Sequence, residues 1–99
     1  MRQRRDARTD ANQADIVKAM EDMGASVWVI GWPVDLLVGA GGRTCPVEVK
    51  VLVGKREPKP KPYTKTQKDF LATWRGGPVG TITDVEGAIS LVQAMKGFT

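Results

Sequence analysis

The chain has 99 residues, which is enough for one domain, and its 15 lysine and arginine residues against 11 acidic residues give a net charge of +4. This charge favours a polyanionic partner such as nucleic acid. The lack of histidine excludes Ser-His-Asp catalysis and the histidine-dependent metal nucleases, and a single cysteine excludes an internal disulfide. We expect a cytoplasmic protein, because one cysteine suits a reducing compartment and no stretch has the roughly 18 apolar residues of a membrane span.

The N-terminal stretch, residues 1–9, is rich in arginine and predicts a flexible basic arm ahead of a single domain at residues 10–99. Such an arm acts either as a solubilising tail or as a phosphate contact. Asp10 and Gln13 then form a capping-box pattern that predicts the start of a first helix. Apolar residues recur at helical spacing after it, and Gly24 predicts its end.

A β-branched and aromatic run at residues 25–31 predicts the first strand. It contains Trp28, and Trp32 follows closely. Because one tryptophan buries roughly 150–250 Å², both are expected to pack in the core or in a dimer interface. Base stacking is the alternative role for the two rings.

Two apolar runs between residues 32 and 50 flank Gly41 and Gly42, which is a signal for a β-hairpin with a two-residue turn. With that turn, Asp35 falls directly opposite Glu48. Lys50 shares their face, because side chains in a strand alternate with period two. Facing acids are unfavourable, so they share a proton, bind a cation, or belong to a longer turn that places them on opposite faces.

The proline-rich stretch at residues 54–63 predicts an extended, polyproline-like loop. It carries regularly spaced basic side chains directly after the second hairpin strand. These suggest a contact with a DNA backbone, and the alternative is a solvated linker. The basic residues assigned to nucleic-acid binding, including one from the helix that follows, are Lys55, Arg56, Lys59, Lys61 and Lys65.

A second capping-box pattern, formed by Thr64 and Gln67, predicts a helix that runs to about Trp74. Thr66 with Asp69 offers another possible start for the same helix. If Gln67 is the capping residue, its side chain is not expected to serve a second role well.

A short strand at residues 79–83 and a last helix capped by Thr83 and Glu86 complete the chain. The element order is therefore helix, three strands, helix, strand, helix. This order predicts an α/β domain with a central mixed β-sheet flanked by helices.

The segments Pro33-x-Asp35 and Glu48-Val49-Lys50 resemble the P-D…(D/E)-x-K signature of the superfamily that contains restriction endonucleases and archaeal Holliday-junction resolvases. Their spacing and flanking segments look most like the small phage and bacterial nucleases of the VRR-NUC group, over residues from about 10 to about 95. The resemblance implies a restriction-endonuclease-like fold. It also suggests a phage or prophage origin, and hence the cytoplasm of a bacterial host.

By this resemblance, Asp35 and Glu48 hold Mg²⁺ or Mn²⁺ with the carbonyl of Val49 as a further ligand. Lys50 positions or deprotonates the attacking water, and Gln67 matches a glutamine that lies near the active site in such nucleases. The first helix of these nucleases often carries an acid that helps to hold the metal. Here the matching residues are Asn12 and Gln13, which either bind the metal through amide oxygens or water, or only cap the helix.

The implied function is metal-dependent, structure-selective cleavage of branched DNA, such as four-way junctions or flaps. A symmetric junction calls for a homodimer with paired active sites. Two other functions compete with this one. The first is a non-catalytic nucleic-acid-binding module with a remnant metal site, and the second is a small interaction protein whose tryptophans form a protein interface.

Overall fold

A computed structural model describes the backbone at residues 7–50, 52–53, 59–60 and 63–97, and the side chains at residues 12–50 and 63–97. Residues 1–6 of the predicted arm, together with Lys55, Arg56 and Lys61, lie outside the described residues. The elements are α1 (Ala7–Asp22), β1 (Ser26–Val29), β2 (Leu36–Ala40), β3 (Arg43–Val49), β4 (Leu52–Val53), β5 (Lys59–Pro60), α2 (Lys65–Thr73), β6 (Gly80–Ile82) and α3 (Val85–Met95).

The central sheet has four strands in the order β1-β2-β3-β6. Strands β1, β2 and β3 are antiparallel neighbours, and β6 returns through α2 to lie parallel to β3. The predicted α/β class, the mixed sheet and the order of the main elements are confirmed. β5 lies in the proline-rich stretch, which the sequence analysis described only as extended, and it pairs antiparallel with β4, which directly precedes that stretch. Proline is tolerated there because a two-stranded pair consists of edge strands.

The starts of two helices differ from those predicted. Helix α1 begins at Ala7, so Asp10 lies inside the helix and is not its N-cap. Helix α3 is capped by Asp84 and not by Thr83, because the Asp84 carboxylate accepts the backbone N–H of Gly87 at 2.8 Å. The negative charge of an acid at that position also interacts favourably with the positive end of the helix dipole.

The hydrophobic core lies on one face of the sheet, where α1 and α3 pack against each other. Alternate residues of β2 and β3 point into it, as expected for strands with one buried face. The prediction that Trp28 and Trp32 pack in the core is wrong, since 69% and 72% of their surfaces are exposed. The buried core is aliphatic instead, and its largest fully buried side chains are Ile16, Met20, Leu36, Val38, Val47 and Val92.

The two-residue hairpin turn is confirmed at Gly41 and Gly42, whose φ angles of 61° and 79° belong to the left-handed region. Turns with positive φ at both central residues match the twist of the paired strands. The turn also abuts the end of α3, where a Cβ atom on Gly41 would lie 2.5 Å from the carbonyl oxygen of Met95. The guanidinium of Arg43 donates to the same oxygen at 2.9 Å. The end of α3 therefore fixes the position of the turn.

We expect Gly41→Ala to lower the free energy of unfolding by about 3 kcal/mol, because left-handed strain of ~1–2 kcal/mol adds to overpacking against α3. The matched variant Gly42→Ala should lose only the strain, since nothing lies within 4 Å of its added methyl group. Urea unfolding of both variants measures the difference. Equal losses in the two variants would contradict the close contact between the turn and α3.

Candidate active site

The two acidic residues of the hairpin face each other, as the sequence pattern predicts. In the β2–β3 register Leu36 pairs with Val47, so the next pair outward is Asp35 with Glu48. Burial raises the pKa of Glu48, and the charge of Asp35 raises it further. The register therefore brings together two groups that cannot both ionise without cost.

Glu48 is the more constrained of the two acids, because only 5% of its surface is exposed. Burial and the neighbouring Asp35 raise its pKa to about 7, while Lys50 and Gln67 act in the opposite direction. Its Oε2 atom lies 3.7 Å from the Lys50 ammonium. Its Oε1 atom is buried and has no hydrogen-bond donor in the described part of the chain. A buried oxygen of this kind is costly unless a proton or a cation satisfies it.

Asp35 is held from two directions just before β2 begins. Its Oδ2 atom accepts the backbone N–H of Val49 at 2.8 Å, which ties its carboxylate to the end of β3. Its main-chain carbonyl accepts the N–H groups of Ile30 and Gly31 at 2.9 and 3.1 Å. The backbone of Val49 is therefore adjacent to the Asp35 carboxylate, whereas the side chain of Val49 is buried in the core.

Lys50 follows β3 directly and is buried, with 7% of its surface exposed. Its main-chain N–H donates to the carbonyl of Ile82 at 2.9 Å, which extends the alignment of β3 with β6 by one residue. Its ammonium donates to Gln67 Oε1 at 2.8 Å. A buried cation beside Glu48 offsets part of the cost of ionising that carboxyl group.

Gln67 caps α2 and also contacts the acidic pair, contrary to the expectation that one side chain would not serve both roles. Its Oε1 atom accepts from Lys50 and from the backbone N–H of Thr64 at 3.0 Å, and its Nε2 atom donates to Glu48. The capping box with Thr64 is confirmed. An amide has two acceptor lone pairs and two donor hydrogens, so it can satisfy all three partners at once.

Tyr63 is a member of the site that the sequence analysis did not identify. The Lys50 ammonium lies 5.0 Å from the centre of its ring, within the range of a cation–π interaction. Its hydroxyl group shares a 2.6 Å hydrogen bond with Thr81, which pairs with Glu48 in the sheet. The available signal was an aromatic residue directly before the helix that carries Gln67.

Neither Asn12 nor Gln13 caps α1, since the helix begins at Ala7. The capping interpretation is therefore wrong for both. Asn12 Nδ2 and Gln13 Oε1 are buried and lack a hydrogen-bond partner among the described residues. Of these two atoms only Gln13 Oε1 is an oxygen of the type that binds a hard metal ion, whereas Asn12 Nδ2 is a hydrogen-bond donor.

The donor set fits a hard divalent cation. Mg²⁺ is commonly bound by one or two carboxylates together with waters and substrate phosphates. Asp35 and Glu48 supply two carboxylates, and that of Glu48 has a buried oxygen without a hydrogen-bond partner among the described residues. Within the described residues there is no group of three or more histidine, cysteine or acidic side chains that could hold a metal ion. Any cation at this site would depend on those two acids.

The structure describes few of the predicted nucleic-acid contacts. Lys65 begins α2 and forms an exposed ion pair with Asp69 at 3.2 Å. Lys59 contributes its backbone to β5, and its side chain lies outside the described residues. The remaining basic residues of the loop also lie outside them.

Comparison of the chain with protein-family models, with characterised proteins and with solved structures gives no match. In the described part of the chain, no helix has the length and apolar character needed to cross a membrane.

The raised pKa of Glu48 predicts how stability changes with pH when a chelator is present. Between pH 4.5, the ordinary pKa of a glutamate, and about pH 7, the folded chain holds a proton that the unfolded chain releases. The free energy of unfolding should therefore fall as the pH rises through this window, by up to about 3 kcal/mol, since one pKa unit corresponds to about 1.36 kcal/mol. Urea unfolding at several pH values measures this fall.

Two variants isolate the contribution of Glu48. Glu48→Gln should remove the decline, because the amide does not titrate. Asp69→Asn should keep it, because Asp69 is exposed on the surface of α2. A wild-type decline in Glu48→Gln would assign the pH dependence to another group.

Proposed function

We propose that this protein is a metal-dependent, structure-selective DNA endonuclease that hydrolyses phosphodiester bonds in branched DNA. The observation that carries the proposal is the facing pair of Asp35 and Glu48, with the buried Lys50 ammonium 3.7 Å from Glu48. Two acids and a lysine in this arrangement are costly for a purely structural hairpin. They suit the hydrolysis of a phosphate ester.

Asp35 and Glu48 would hold Mg²⁺ or Mn²⁺, with the Val49 carbonyl as a further candidate ligand. Bound there, such a cation supplies Lewis-acid chemistry that neutralises charge on a phosphodiester and favours water as a nucleophile at neutral pH. Binding requires Glu48 to lose the proton that its raised pKa retains. The Val49 N–H holds the Asp35 carboxylate in place for this role.

Lys50 would position or deprotonate the attacking water and stabilise negative charge that develops on the phosphate. The amide of Gln67 keeps the ammonium beside Glu48, since it contacts both side chains. The ring of Tyr63 limits the other positions that the ammonium can adopt. Gln67 would in addition orient a water or a phosphate oxygen.

The substrate follows from charge and size. The net charge of +4 suits a polyanion, and the proposed backbone contacts come from the basic residues of the proline-rich loop and from Lys65. A domain of this size has little surface for reading base sequence, so shape is the proposed basis of selection, with four-way junctions and flaps as candidates. A four-way junction would also require the predicted homodimer.

We expect Asp35→Asn and Lys50→Ala each to reduce Mg²⁺-dependent cleavage by at least about 100-fold, the lower range for loss of a group that acts on the proton or the charge. Lys18→Ala is the matched control, because Lys18 pairs with Asp22 in an exposed ion pair on α1. The assay titrates Mg²⁺ and Mn²⁺ over duplex, flap and four-way junction, with circular dichroism to confirm folding.

Wild-type cleavage in either Asp35→Asn or Lys50→Ala would overturn the proposal. Retention of branched DNA in a gel without cleavage by the wild type would instead identify a non-catalytic nucleic-acid-binding module. Weak, salt-insensitive binding would favour the interaction protein, because phosphate contacts weaken with salt.

A pair of variants separates the two roles of Gln67. Thr64→Ala removes the hydroxyl group that caps α2 and should cost about 1 kcal/mol of stability with little effect on cleavage. Gln67→Ala also removes the contacts with Lys50 and Glu48, and should lower cleavage by about 10- to 100-fold. Equal cleavage in the two variants at a temperature where both are folded would limit Gln67 to the capping role.

A further inference from the structure

An exposed apolar surface lies on the same face of the sheet as the acidic pair. Trp28 of β1 is paired with Leu37 of β2, and Leu37 is paired with Pro46 of β3. Pro46 lies two residues before Glu48 in the same strand, so all of these side chains point to one face. The core occupies the opposite face. Two residues along a strand correspond to about 7 Å, so this apolar row is adjacent to the row that holds the carboxylates.

The outer end of this row is open to solvent. Trp28 is 69% exposed and Leu37 is 38% exposed, whereas Pro46 is buried. The indole of Trp28 takes no part in the hydrophobic core formed by the described residues. Trp32 carries a second exposed indole. It lies in the turn in which the N–H groups of Ile30 and Gly31 donate to the Asp35 carbonyl. Two exposed indoles thus come from the segments that lead into the acidic pair.

We propose that the Trp28 ring is a stacking platform for an unpaired nucleobase of the strand whose phosphate occupies the acidic pair, with Trp32 as a second platform. This inference rests on the proposed function and specifies its substrate as DNA with unpaired bases beside the cleaved bond. A flat indole accepts any base by stacking. Trp28 lies one strand spacing (about 4.8 Å) and two residues (about 7 Å) from Asp35, so one or two nucleotides of an extended strand can reach from the indole to the acidic pair.

Charge favours a nucleic-acid strand over a second copy of this chain on the Trp28 surface. The chain carries a net charge of +4, which attracts a polyanion. If two copies docked through the Trp28 surface, the neighbouring carboxylates of one copy would also approach those of the other, and like charges repel.

The test measures binding with Ca²⁺ in place of Mg²⁺, because a phosphate is held beside two carboxylates only through a cation. Gel analysis confirms that the oligomers stay intact, so that the result does not depend on cleavage. Wild-type protein is titrated with a fluorescein-labelled single-stranded thymidylate 12-mer and with an abasic 12-mer of the same phosphate count. We expect the thymidylate to bind at least about 5-fold more tightly, the lower range for one base–aromatic stack. Trp28→Leu should remove most of the preference, Trp28→Leu combined with Trp32→Leu should remove all of it, and Trp28→Phe should keep most of it. Trp74→Leu, at the C-cap of α2, is the matched tryptophan control and should leave the preference unchanged.

The outcomes separate this inference from the proposed function. Equal affinity of wild-type protein for the two oligomers, or an equal loss for both in Trp28→Leu, would overturn the stacking platform even if Mg²⁺-dependent cleavage is observed. A base preference that requires Trp28 in a protein that never cleaves DNA would support the platform and reject the nuclease. Light scattering that shows a wild-type dimer and a monomeric Trp28→Leu would assign the surface to a second copy instead.

Discussion

The register of β2 against β3 is the constraint on which the candidate site depends. Gly41 and Gly42 adopt the positive φ angles of a two-residue turn, and this turn places Asp35 opposite Glu48. A slip of one residue would move every side chain of one strand to the other face and separate the acids. The register is secured at both ends. The close approach of Gly41 to Met95, with Arg43 bound to the same carbonyl, fixes the turn, and the Val49 N–H bound to Asp35 fixes the open end.

This register creates an electrostatic conflict that the rest of the site reduces only in part. Glu48 is buried beside another acid, and its Oε1 atom has no donor in the described part of the chain. Lys50 and Gln67 satisfy the Oε2 side. Burying an ionised Glu48 beside Asp35 costs free energy. Either a proton on Glu48 or a cation bound to the pair would remove that cost. A stable hairpin without a ligand would gain from an apolar residue at this position.

Local sequence patterns predicted the parts of the site that depend on local geometry. The order of the elements, the glycine turn and the capping box of Thr64 with Gln67 are set by residues close in sequence, and the structure has them as predicted. Contacts between distant segments were not predictable in this way. Tyr63 meets Lys50 and Thr81 only after α2 and β6 have packed, and no periodicity encodes that meeting. The exposure of Trp28 was missed for a related reason: the buried core of the described residues contains no aromatic side chain, so aromatic size was a poor guide to burial.

The attachment of α2 connects the chemistry of the site to the fold. None of the residues of α2 is buried, so little apolar burial holds this helix against the sheet. The described polar contacts between its N-terminal end and the sheet are those of Gln67 with Glu48 and Lys50, and that of Tyr63 with Thr81. A change of charge on Glu48 alters its contact with Gln67 directly, because ionised and protonated carboxyl groups differ in what they accept and donate. The position of α2 and the charge state of the acidic pair are therefore coupled, and a ligand that fixes one also stabilises the other.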